Sequence, residues 1–157
     1  MQRPWNLVDL PVYSLITFDE KGLNMNICTY VSAVSMNPKV YSIAVYKGTK
    51  SLENILNNEI VVLQLLSPNQ ANLIKYLGKK SGIDFNKHTY LKNKKVLIPW
   101  KNYEILKDVS AVIELKKSTC VDVGDHVLFI LKAISYKSFS SEVLTTKYLN
   151  QKGIIRV

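Results

Sequence analysis

The stretch "VYSIAVYKGTKSLENILNNEIVVLQLL", residues 40–66, decides how the chain is read. Its first seven residues alternate in the manner of a strand. Its last seven, "IVVLQLL", are apolar nearly throughout, which predicts a strand covered on both faces. Between them, Leu52, Ile55 and Leu56 recur at helical spacing and predict a short helix over 51–58. The turn that opens this helix, Lys47-Gly48-Thr49-Lys50-Ser51, is basic and rich in hydroxyls. Two readings stand side by side. Thr49 or Ser51 caps the helix while Gly48 takes a tight turn. Alternatively, the turn holds an anion on the free N–H groups of the helix start. It is not a Walker loop, because Gly48 and Lys50 are not adjacent and the earlier glycine is missing.

Working outward, further strands are predicted at 12–18, 25–31, 109–117 and 126–137. Over 109–117, Val109, Ala111, Ile113 and Leu115 alternate with Ser110, Glu114 and Lys116, as in a sheet with one buried face; Val112 breaks the polar side. "SPNQANLIKYLGKK", 67–80, predicts a helix with Ser67 as N-cap, Pro68 at the first position and Gln70 closing a capping box. A last helical pattern covers about 142–150. Many strands with two or three helices exclude a doubly wound parallel sheet and predict a mainly β fold. The expected architecture is an antiparallel β-barrel with the helices packed outside. No repeat and no Pro-, Gly- or Ser-rich linker divides residues 1–157, so one domain is expected.

Composition narrows the function classes. The 157 residues are 47% hydrophobic, ordinary for a globular protein. No run approaches the ~20 apolar residues of a membrane span, and the N-terminal residues show no apolar signal core. A cytoplasmic protein is expected. Cys28 and Cys120 form no Cys-x-x-Cys, so free thiols are expected and a zinc site is not. No Gly-x-Gly-x-x-Gly, Gly-x-Ser-x-Gly or HExxH motif occurs. The net charge of +9 is concentrated in residues 75–101, where eight lysines face Asp84 alone. That run lacks arginine and regularly spaced aromatics, so it reads as a solvated surface. A nucleic-acid-binding barrel is the lesser alternative. His126 opens a strong strand after a Gly-Asp turn, and on its own reads as a surface residue.

The order of segments adds a resemblance. "NICTYVSAVSMNPKVYSIAVYKGTKSLENILNNEIVVLQLLSPNQANLIKYLGKKSGIDFNK", 26–87, resembles the flavin reductase-like family of FMN-binding split barrels. The corresponding segments are the small polar strand end (28–32), the Val-Ser-x-x-Pro turn (34–38) and the next strand (40–46). They continue with the Thr/Ser turn into a helix (48–51), the apolar strand (60–66) and the Gln-led helix (70–77). "SGIDFNK" and "GDHVLFI" resemble two further signatures. Two departures stand out: Lys39 replaces the usual second proline of the turn, and "ILKA" replaces a glycine-bearing stretch beyond His126.

The resemblance implies a split barrel of antiparallel Greek-key type that binds FMN, with FAD a possible alternative, and uses NAD(P)H as co-substrate. It implies an NAD(P)H:flavin oxidoreductase passing hydride from nicotinamide to flavin; a non-catalytic FMN-binding or electron-carrier protein is the other outcome. Lys47, Thr49, Lys50 and Ser51 are then phosphate ligands. The stretch 26–32, with Asn26, Ile27, Cys28, Thr29 and Ser32 named as cofactor-binding, runs beside the ring system, Ala33, Val34 and Ser35 close that side, and His126 is the catalytic candidate near the nicotinamide. A homodimer with the flavin at its interface is also implied. Neither a membrane nor a nucleic-acid partner is expected.

Overall fold

The computed structural model describes residues 3–156. The chain runs through β1 (Tyr13–Asp19), β2 (Gly22–Cys28), β3 (Val31–Ser35), β4 (Val40–Tyr46), α1 (Lys50–Asn57) and β5 (Ile60–Leu65). It continues through α2 (Lys87–Asn93), β6 (Leu97–Trp100), β7 (Tyr103–Leu106), β8 (Ala111–Val123), β9 (His126–Ser138) and α3 (Thr146–Gln151). Seven strands form one sheet in the order β2-β1-β5-β8-β9-β4-β3, and β6 pairs with β7 in a separate hairpin. Every pairing is antiparallel.

That order dictates a barrel. β2 and β3 lie at opposite edges of the sheet, yet only Thr29 and Tyr30 join them. Flat, seven strands would hold the edges about 29 Å apart. The three peptide steps from Cys28 to Val31 span at most about 11 Å. The sheet must therefore curl until its edges meet. They meet without a ladder between them, so the barrel is mainly β, antiparallel and split.

β5 is the central staple. Val61 and Leu63 enter one apolar cluster with Leu15, Ile43, Val45, Leu115, Phe129 and Leu131, closed by Ile55 of α1. Val62 enters a second cluster with Ile16, Met25 and Val112, covered by Leu77, Leu91, Ile105, Leu106, Leu144 and Leu149. Two-sided burial of this apolar run thus follows from a sheet packed on both faces.

Three expectations needed correction. The strand predicted at 25–31 is two strands, β2 and β3, broken at Thr29 and Tyr30. The helix predicted from Ser67 forms its capping box, but it begins as a 3-10 helix, Pro68–Leu73, and ends as a π-turn, Lys75–Lys79. The third correction concerns β8, which is buried on both faces near Glu114. The β6–β7 hairpin lies over it, and no periodicity announced that hairpin, because Pro99 and flanking lysines obscure the strand pattern.

Glu114 becomes a buried anchor there, 8% exposed. It accepts from Lys101 Nζ, from Tyr103 Oη (2.7 Å) and from Ser135 Oγ (2.7 Å). Burial raises its pKa, but these donors outweigh burial and hold the carboxyl below the usual range. A lowered folded-state pKa gives stability that is present above the unfolded value, ~4.3, and lost as pH falls through the folded one. Glu114→Gln should therefore lower the melting temperature at pH 7, and by less at pH 3. A gap of equal size at both pH values would contradict this role.

Candidate functional site

A cavity of about 460 Å³ opens where the barrel splits, within the usual range for small-ligand sites. The end of β2 forms one wall with Asn24, Asn26, Ile27 and Cys28, continued by Thr29 and Tyr30. Tyr46, Gly48, Thr49, Lys50 and Ser51 form the second, and Leu77 to Gly82 with Lys87 the third. His126 stands at the mouth.

The first turn of α1 is built as a cap and also faces the cavity, so the two sequence readings are compatible. Gly48 turns with φ +76°, where a side chain would be strained. Thr49 Oγ1 accepts from Leu52 N (3.2 Å) and donates to Tyr46 O (2.8 Å). Ser51, 1% exposed, accepts from Asn24 Nδ2 at 3.1 Å. Asn54 Nδ2 donates to Thr17 Oγ1 at 3.1 Å, seating the helix on β1. Lys50 Nζ is shared between Asp19 (2.9 Å) and Glu53 (3.2 Å). The hydrogen bond to Asp19 is the main reason its pKa is raised, so it is a cation throughout the ordinary pH range.

Opposite this turn, Gly82 comes close against α1. A Cβ there would lie 2.2 Å from Asn24 Oδ1 and 3.0 Å from Lys50 Cβ. Only glycine lets the Ser81-Gly82 backbone approach this far. The donor-rich end of the cavity is thus a cradle made by two chain segments.

The other end is aromatic. The His126 ring lies 5.4 Å from Tyr30 and 5.3 Å from Tyr46, centroid to centroid. Both tyrosines are more than half exposed. His126 Nδ1 lies 2.6 Å from Asp125 Oδ1, which orients the ring. Cys28 sits between this cavity and an apolar one lined by Trp5, Val8, Ile74 and Leu149. Burial pushes its thiol up to about 12, so it is a neutral wall residue and no thiolate nucleophile. Cys28 and Cys120 are both free.

Asn26, Ile27, Cys28, Thr29, Thr49, Lys50, Ser51 and His126 therefore gather around one cavity. Ser32, Ala33, Val34 and Ser35 do not line it; they form β3, the sheet's second edge. Lys47 is also outside, paired with Asp122 at 2.7 Å. Tyr46, Asn24 and Lys87 were not foreseen as site residues, whereas Tyr30 lies within the stretch 26–32 that the resemblance sets beside the ring system. Seven of the eight lysines in 75–101 are exposed as expected; Lys87 is buried. No cluster of metal-ligating side chains occurs among the described residues, and none of their helices is long and apolar enough to cross a membrane.

Fold and cavity together define a split-barrel chain with a cavity of small-ligand size at the split. The family profile described as "Flavin reductase like domain" matches residues 6–153, and the chain belongs to that family. Its fold is similar to an FMN-binding protein from Thermus thermophilus solved with p-hydroxybenzaldehyde (TM-score 0.79, 15% identity, 92% of this chain and 85% of that one). It is also similar to a flavoredoxin from Methanosarcina acetivorans (TM-score 0.73, 18% identity, 83% and 69%). A third similar structure is an NADH:FAD oxidoreductase from Streptomyces globisporus, solved with NAD and FAD fragments (TM-score 0.74, 14% identity, 88% and 81%). No curated protein is matched by the sequence.

Proposed function

We propose that the protein is an FMN-dependent NAD(P)H:flavin oxidoreductase. The observation that carries this reading is the two-ended cavity: a donor-rich cradle at the start of α1, joined by the polar end of β2 to the exposed aromatic group around His126. The residues fit a phosphorylated flavin. Hydroxyls, free helix N–H groups and ammonium ions suit a phosphate dianion. Thr49, Lys50 and Ser51 are assigned to the phosphate. Asn26, Ile27, Cys28 and Thr29 are assigned to the ring system, with Tyr30 and Tyr46 offering apolar faces.

When bound, FMN supplies the redox chemistry, accepting a hydride equivalent from a reduced nicotinamide and passing electrons on. The chain's own share is binding and orientation. Its half-buried, neutral Cys28 keeps a charge out of the wall beside the ring. His126, held by Asp125, faces the open side where a nicotinamide has room to approach. FAD is admitted by the same cradle. A cytoplasmic location, where NAD(P)H is available, accords with the free thiols.

Mixing the purified protein with FMN and then NADH or NADPH, and following nicotinamide absorbance, tests the activity. Steady oxidation that depends on added flavin is expected. Tight FMN binding with no oxidation above the free-flavin background would make the protein a carrier.

The same reading includes a homodimer. Val34 and Met36 of the β3–β4 hairpin and Ile134 and Tyr136 of β9 are exposed apolar side chains. Met36 and Tyr136 also flank a groove with Tyr13 and Tyr41. Apolar and aromatic surface of this kind is favoured at contacts between subunits. A ligand that binds only the assembled site stabilises the assembly. Sedimentation should show the apoprotein dissociating at higher concentration than the FMN-loaded protein. A monomer that binds FMN tightly at every concentration would overturn the two-subunit site.

A further inference from the structure

A second cavity, of about 330 Å³, shares Ile27, Cys28, Thr29 and Tyr30 with the first. Its floor is packed core, since Val12, Ile74 and Leu149 are buried. Its rim is apolar and open. Trp5 is 64% exposed there, and Val8 and Tyr30 are also more than half exposed. The walls are held in place where the two ends of the chain meet. Pro11 bridges Thr145. Thr146 N donates to Leu10 O (2.9 Å), Leu10 N to Thr146 Oγ1 (3.0 Å) and Lys147 N to Asp9 Oδ1 (2.8 Å). The segment that carries Trp5 and Val8 is thereby anchored, at Asp9 and Leu10, against the start of α3.

We propose that this second cavity is a binding site for a small, uncharged, aromatic molecule. Its lining selects that class. The chain has a net charge of +9, yet among the described residues no charged side chain lines this cavity. Lys50, Lys79, Lys80 and Lys87 all line the first. An anion placed in the second cavity would lose water and meet no counter-charge, a cost that an uncharged ring avoids. Nucleotides, with their phosphates, are set aside on that ground. Trp5 and Tyr30 offer exposed rings at the rim, and aromatic pairs gain more than their buried area alone supplies.

Size and polarity narrow the class further. The volume is at the lower end of the usual range for small-ligand pockets, which suits a ligand of one or two fused rings. Of the polar side chains in the lining, Thr146 is committed: its Oγ1 accepts from Leu10 N and donates to Asp9 Oδ1 (3.2 Å). The Thr29 hydroxyl has no hydrogen-bond partner among the described residues, so it can bond one polar substituent on the ring. A mainly apolar lining with one hydroxyl left to orient the occupant is the usual make-up of a small-molecule site. The occupant would rest against the same end of β2 that walls the first cavity, and the first need not be filled for it to bind.

The test is titration of the full-length chain at pH 7 with β-naphthol and with β-naphthoate, the same fused rings without and with a charge. Binding is followed by NMR of labelled isoleucine, leucine and valine methyl groups. β-Naphthol should give saturable shifts at Val8, Ile74 and Leu149, and β-naphthoate should bind at least about 10-fold more weakly. Trp5→Ala, at an exposed position, should weaken β-naphthol binding about 3- to 10-fold. Shifts confined to Val45 and Leu77 of the first cavity, equal affinity for the two compounds, an unaltered affinity in Trp5→Ala, or no saturation would overturn the proposal. Shifts of the same methyl groups on dilution of the protein alone would mean that a second copy fills the cavity, which also overturns it. Should the variant fail to fold, the contrast between the two compounds decides. No flavin is added, so the flavin reading stands or falls by its own test.

Discussion

Alanine at both Lys50 and Ser51 is expected to weaken FMN binding by about 2–4 kcal/mol, one charge-assisted and one neutral-to-charged hydrogen bond to phosphate being lost. The helix should survive. Thr49 remains to cap it, and alanine favours a helix interior. Loss of the Ser51 hydroxyl also leaves Asn24 Nδ2 without its acceptor, so some stability is lost and folding must be confirmed by circular dichroism. Fluorescence titration with FMN reads the affinity. An unchanged Kd in a folded double variant would remove the first turn of α1 from the site.

The second large effect is structural. Phe129 is fully buried at the centre of the apolar cluster that α1 closes. It pairs across β9 with Ile43 on one side and Cys120 on the other. Phe129→Ala removes a large side chain from a site flanked by two ladders that cannot collapse. A cost of about 3–5 kcal/mol is expected, or roughly 6–20 °C in melting temperature for a chain of this size. Because His126 begins the same strand, flavin affinity should fall as well. Thermal unfolding checks the first effect. A shift of only a degree or two would mean that the core does not meet where this strand order brings it.

The strands of the barrel were legible because their signals are local. "IVVLQLL" is apolar on both faces and is buried on both. "VYSIAVY" alternates and forms β4 with the predicted bounds. The split was not legible from periodicity. It depends on Thr29 and Tyr30 joining opposite edges of the sheet, a fact of pairing order rather than of pattern. The resemblance to the flavin reductase-like family supplied that part, and the family match supports it. The β6–β7 hairpin escaped because Pro99 and the lysines around it read as surface.

The cavity divides in the same way. Thr49, Lys50 and Ser51 could be singled out because a hydroxyl-rich basic turn before a helix has a chemical meaning at short range. Asn24 and Gly82 could not. Their part is to bring two segments together that lie far apart in the chain. Lys87 was hidden by its neighbours. Within a run of eight lysines only its place at the end of "SGIDFNK" distinguishes the one that the fold buries. Lys47 shows the converse: it belongs to the basic turn, but in the fold it points its charge to Asp122.

The central claim is that the cavity at the split binds FMN. The most direct measurement is the visible absorbance spectrum of the protein, dialysed against excess FMN, freed of unbound flavin by gel filtration and then denatured. A yellow protein that releases close to one equivalent of FMN per chain is expected. A colourless protein, or flavin that washes away entirely under these conditions with no saturable binding in solution, would contradict it.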